Sequence, residues 1–232
     1  LTPGEFSIQS IGIPPDIELR PVWVEEDGDA YMYWQDALTR EKDLDDHFVG
    51  GQEGEPPRFT CLHLEPDYYL WDDDYTRDEV PDMELWADDY QIQFAKTIVR
   101  ESSSTDRKRM LTEAFPAIQE MISRADRGLV AHLDSFGVDW KLAPAEGTPR
   151  ASIAMEVGSE SGLLPVGERT SLTLSVTNVG DAPFQRLRSM AEGDLLDGAE
   201  FVFGKVEPGE TRTWTTWLRP GLRMSSRSGE VT

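Results

Sequence analysis

Among the 232 residues, the run whose types and spacing come nearest to gathering a metal is Cys61-x-His63-x-Glu65. On an extended strand this spacing puts a thiol, an imidazole and a carboxylate on one face, a donor set that suits zinc. The plainer reading, a strand face packed into a core, is preferred, because three unlike ligands in one short run are a weak signature. His47 and His132 are scattered, and no His-Glu-x-x-His pattern sets two imidazoles on one helical face. A serine nucleophile needs a base. Ser7 and Ser10 have no neighbouring His or Lys, and Ser104 precedes Lys108 in a polar stretch where the lysine stays solvated and protonated. Carboxylates are so plentiful that none stands out as a general acid, a role that requires burial to lift one pKa above the rest. No catalytic, cofactor-binding or metal-binding residue is assigned, and no cofactor is implied.

The acidity is concentrated rather than general. Between Glu25 and Asp89 there are 22 Asp and Glu against 4 Lys and Arg, which is -18 of the formal net charge of -22. Such a field repels nucleic acid and anionic headgroups, which are bound through Lys and Arg. Asp72-Asp73-Asp74, Asp78-Glu79 and Asp88-Asp89 could offer hard oxygen ligands to calcium. An EF-hand loop opening at Asp72 needs Gly sixth and a carboxylate twelfth, where Arg77 and Met83 stand. A solvated acidic face is the simpler account.

The elements that would position these side chains change character along the chain. Residues 23–81 mix acids with Trp34, Phe48, Phe59, Tyr68, Tyr69, Leu70, Trp71 and Tyr75, too aromatic for a disordered tail. They read as a connector with a short helix near Trp34 to Phe48 and a Gly- and Pro-rich loop from Gly50 to Pro57. Residues 82–141 are a helical segment. Trp86, Tyr90, Phe94 and Ile98 recur at helical spacing behind Asp82 as N-cap, and a polar break follows at Ser102 to Asp106. A second stripe through Met110, Ala114, Ile118, Met121, Ile122, Ala125, Leu129 and Leu133 is interrupted by Pro116 and stopped by Gly137.

After the linker Leu142 to Pro149 the period becomes two. Leu172, Leu174 and Val176 alternate with polar residues, Asn178 to Asp181 makes a turn, and Phe201 and Phe203 bracket Val202 in a half-buried strand. Pro208-Gly209-Glu210 turns the chain into Arg212, Trp214, Thr216 and Leu218. Residues 142–232 therefore predict a sandwich of the immunoglobulin type, with about six candidate strands where the fold uses about seven. Leu1 to Leu19 read as an orphan strand whose sheet neighbours lie elsewhere, the next clear strand pattern being about 130 residues on. Both ends read as cut from a longer chain. One cysteine allows no internal disulfide and leaves the redox compartment open, and no window has the roughly 18 apolar residues of a membrane span.

Leu1 to Leu19 resemble the stretch that carboxyl-terminal processing (tail-specific) serine peptidases carry shortly after their catalytic lysine, of the form T-P-x-G-x-S-I-Q-x-x-G-I-x-P-D-I. Thr2, Pro3, Ser7, Ile8, Gln9, Gly12, Ile13, Pro15, Asp16 and Ile17 match. Glu5-Phe6 stand where a Gly-Arg type pair is usual, and Gly4 comes one position early. Arg40 to Phe48, Phe136 to Trp140 and Phe201 to Thr211 are similar to parts of the long C-terminal extension of envelope members.

The resemblance implies an α+β fragment. Residues 1–22 end the peptidase domain, 23–81 are an acidic aromatic connector, 82–141 are helical, and 142–232 are a truncated immunoglobulin-like domain. It also implies that the family's serine nucleophile and neutral lysine base precede Leu1, as does its PDZ domain. The function then expected is the non-catalytic C-terminal portion of a secreted or periplasmic serine endopeptidase. Protein or peptide substrates would be engaged by the upstream domains, and an envelope partner by the sandwich. The alternative is an envelope protein- or glycan-binding module without protease activity.

Overall fold

The computed structural model describes residues 15–24, 30–32, 57–64, 89–159, 164–165, 167–191 and 199–218. They form a mixed α+β fold. In chain order the elements are β1 (Ile17–Val24), β2 (Ala30–Tyr31), β3 (Phe59–Leu64), α1 (Tyr90–Arg100), α2 (Arg107–Glu113), α3 (Phe115–Ser135), β4 (Ala151–Val157), β5 (Thr170–Asn178), β6 (Phe184–Met190), β7 (Glu200–Val206) and β8 (Thr211–Leu218). The chain divides into two compact units, residues 1–23 with 38–131 and residues 24–37 with 132–232.

In the first unit β1 runs parallel to β3, with Ile17 opposite Phe59 and Leu19 opposite Cys61. This corrects the orphan-strand expectation, since Ile17 to Leu19 find their partner within this polypeptide. The physical reason is that a parallel partner arrives by a long crossover rather than a hairpin, and Phe59-Thr60-Cys61-Leu62-His63-Leu64 hides its strand period behind residues that read as chemistry. Residues 1–14 of that segment, the short helix near Trp34 to Phe48 and the loop from Gly50 lie outside the described residues.

The helices start and stop where capping chemistry dictates. Asp89, rather than Asp82, caps α1, its Oδ1 accepting the Ile92 N–H at 2.8 Å. Asp106 does the same for α2 through Arg109 N–H at 3.0 Å. Pro116 is the second residue of α3, where a missing N–H costs nothing, so the break falls at Ala114 just before it. Cys61, Phe94, Ala114 and Ile118 form the buried core, with Ile17, Leu19, Phe59 and Met121 packed on it.

In the second unit α3 ends as expected. Gly137 takes a φ of 76° and Val138 N–H bonds back to Leu133 O at 3.0 Å. Two antiparallel sheets follow, β4-β5-β8 and β6-β7. In β5 alternate residues are buried from Thr170 to Asn178, and Leu172, Leu174 and Val176 meet Phe201, Phe203 and Val206 of β7 in one core. Arg212, Trp214, Thr216 and Leu218 face Val176, Leu174, Leu172 and Thr170 in register. Pro208-Gly209 make the expected turn, Gly209 at φ 79° and Glu210 N–H bonded to Glu207 O at 2.9 Å.

One strand departs from its pattern. β7 was expected to be half-buried, but Glu200, Phe201, Val202, Phe203 and Gly204 are all buried. Segments far away in sequence lie on it. Met32 N–H donates to Glu200 Oε2 at 2.7 Å, and Lys205 N–H donates to Asp139 O at 2.7 Å. Gly204 has φ 72°, and a Cβ there would stand 2.5 Å from Asp139 O, so only glycine lets residues 138–140 come so close.

Candidate functional site

The densest group of chemically capable side chains among the described residues is in the first unit, where β3 meets the start of α1. The period of a strand points Cys61 and His63 to one face, and both are about 1% exposed. Capping by Asp89 fixes the first turn of α1, so Tyr90 lies against this face. Its hydroxyl is 3.4 Å from Cys61 Sγ, and its ring stacks on the His63 imidazole at 4.2 Å and 13°. Cys61 Sγ is in turn 3.9 Å from Leu62 O. The two contacts make a short chain, the phenol donating to sulfur and the thiol to the carbonyl.

Electrostatics hold both groups neutral. Burial pushes the Cys61 thiol above its ordinary range, Tyr90 as hydrogen-bond donor opposes this, and Asp126 adds to it. Burial, then the bond to Cys61, push the Tyr90 phenol well up too. A thiol is a nucleophile or a metal ligand only as thiolate, so this trio is built for packing. Glu65, the third expected ligand, lies outside the described residues, and among the described residues no group of three His, Cys, Asp or Glu could hold a metal ion.

The remaining candidates are not brought together. His132 Nε2–H donates to Val24 O at 2.9 Å, and its ring meets Phe136 edge-on at 4.9 Å. Ser104 Oγ accepts the Asp106 N–H at 3.1 Å, a turn-making bond at the start of α2. Asp89 of the acidic set is a helix cap. Ser7, Ser10, His47, Asp72, Asp73, Asp74, Asp78, Glu79 and Asp88 lie outside the described residues.

Sequence reasoning missed one carboxylate. Glu113 Oε2 accepts the Ser103 N–H at 2.8 Å, with Ser103 Oγ at 3.0 Å and Ser102 Oγ at 3.2 Å, while Arg109 Nε reaches Oε1 at 2.7 Å. These bonds, the Ser103 N–H foremost, hold its carboxyl at about 2. The signal was present as Arg109 and Glu113 four residues apart on a helix behind a serine run.

Among the described residues no helix is long and apolar enough to cross a membrane. Compared with known proteins, the chain matches no family model, no curated protein and no solved structure.

Proposed function

We propose that this chain is the non-catalytic C-terminal portion of a secreted or periplasmic serine endopeptidase of the carboxyl-terminal processing type. The family's serine and lysine would precede Leu1. The resemblance of Leu1 to Leu19, ten residues at fixed spacing from Thr2 to Ile17, carries this reading. One feature supports it. The antiparallel sheets β4-β5-β8 and β6-β7 share one apolar core, an arrangement compatible with the sandwich read from residues 142–232.

The chain alone is expected to leave casein intact. Turnover of casein that a serine-reactive inhibitor abolishes would count against the reading.

One observation favours the binding-module alternative. On the outer face of β4-β5-β8, Thr173 and Thr215 bond at 2.8 Å, as do Thr177 and Thr211. Beside them Trp217 is 40% exposed, with the Arg169 guanidinium 4.9 Å from its ring centre. Hydroxyls beside a partly exposed aromatic ring that already carries a guanidinium on one face offer both apolar and polar contacts to a sugar. Binding of soluble polysaccharide, lost in Trp217→Ala, would establish that alternative; no heat on titration would remove it.

A further inference from the structure

The outer edge of β4 is one of the unpaired sheet edges among the described residues. Arg150 O accepts the Val179 N–H and Gly158 N–H donates to Ser171 O, both at 2.8 Å. In an antiparallel strand each residue's N–H and C=O point to one side, and the side alternates along the chain. Even-numbered residues from Arg150 to Gly158 therefore bond to β5, and Ala151, Ile153 and Met155 turn their backbone outward, as does Val157, whose carbonyl accepts the Ser159 N–H at 2.8 Å. No described strand pairs with that outer edge. The strand has neither Lys nor Pro inside it, Glu156 is its one charged side chain, and Ile153 is 61% exposed.

We propose that this edge pairs with the same edge of a second copy of the chain, antiparallel, with Ile153 opposite Ile153 on a two-fold axis. Outward-bonding residues must meet outward-bonding residues, so only registers that pair odd-numbered positions with odd-numbered ones are open. Charge selects among them. With the axis at Ile153, Arg150 of each copy stands opposite Glu156 of the other, on the polar face, and the pair occurs twice. With the axis at Ala154, Glu156 would instead meet Ser152, and Arg150 would meet Gly158. Glu156 is in no ion pair within its own chain among the described residues, and Arg150, which helps hold the Asp181 carboxyl low from nearby, is not within ion-pair distance of it. On the other face the apolar row of Ile153 and Met155 continues from one copy into the next. Pro149, which lacks an N–H, ends the ladder on each side.

The test uses the whole chain in sedimentation equilibrium over a range of concentrations. A monomer–dimer equilibrium is expected. Glu156→Arg and Arg150→Glu, each judged folded by an unchanged thermal melt, should each dimerise about tenfold more weakly or worse, because each sets like charges opposite one another twice. Mixed together, the two variants should form a heterodimer at least as tight as the native dimer, since every facing pair is then opposite in sign. Ile153→Pro removes an outward N–H without taking a donor from the β4–β5 ladder and should abolish the dimer. A monomer at every concentration would overturn the proposal. So would a dimer indifferent to these changes, or a mixture that does not pair.

Discussion

Cys61, Asn178 and Glu113 each show how a polar side chain is made structural by what surrounds it. Cys61 is buried and protonated, so the native chain should react with a thiol-specific disulfide reagent at least about 100-fold more slowly than the unfolded chain, a rate readable by absorbance. Equal rates would contradict its placement. Asn178 is fully buried and closes a turn. Its Nδ2 donates to Ala182 O at 2.8 Å and to Val206 O at 2.9 Å, while its Oδ1 accepts the Gly180 N–H at 3.0 Å. Asn178→Ala strands all three groups and is expected to cost about 3 kcal/mol in urea unfolding. For Glu113 the folded pKa lies below the unfolded one. Its stabilising effect is therefore complete above about 4.5 and is lost as pH falls through about 2. Carboxyl resonances followed by NMR should show this midpoint near 2, returning toward the ordinary carboxylate range in Ser103→Ala.

At the scale of elements, what could be read in the sequence was whatever repeats locally. The buried alternation of β5, the Pro208-Gly209 turn, the stop at Gly137 and the break before Pro116 depend on neighbours within a few residues, and each is where the pattern placed it. β3 escaped because its partner is parallel and distant, and because Cys61 and His63 drew attention as ligands. The double burial of β7 escaped because its cover comes from residues 30–32 and 138–140, which no periodicity within the strand can announce. The same close approach makes a prediction. Gly204→Ala puts a Cβ at φ 72° and 2.5 Å from Asp139 O, and should lower stability by about 2 kcal/mol or more in denaturant unfolding. A neutral result would mean that residues 138–140 do not sit on β7. A bulge reinforces the docking. Arg186, at φ 50° where β6 slips register, donates from Nε to Trp140 O at 2.8 Å.

For the whole molecule, the sandwich read from residues 142–232 is not a unit by itself, since the second compact unit takes in residues 24–37 and those from His132 onward. Val138 and Trp140 are 6% and 2% exposed. A piece spanning 132–232 should therefore melt about 10 °C or more above one spanning 150–232; coincident melts would make the connector dispensable. The packing of Cys61 and His63 against Tyr90 was not legible in the sequence, because their spacing suits a pair of ligands as well as it suits a core-facing strand. What the resemblance adds lies in the opening residues, and the most direct test of the proposal reads the coding sequence upstream of Leu1 and assays its full product. An encoded serine and lysine of the family's type, cleavage of an unfolded protein substrate that is lost when either is replaced, and no cleavage by the 232-residue chain, are the predicted result. A coding sequence with no such serine and lysine, or a full product that is inert, would contradict the account.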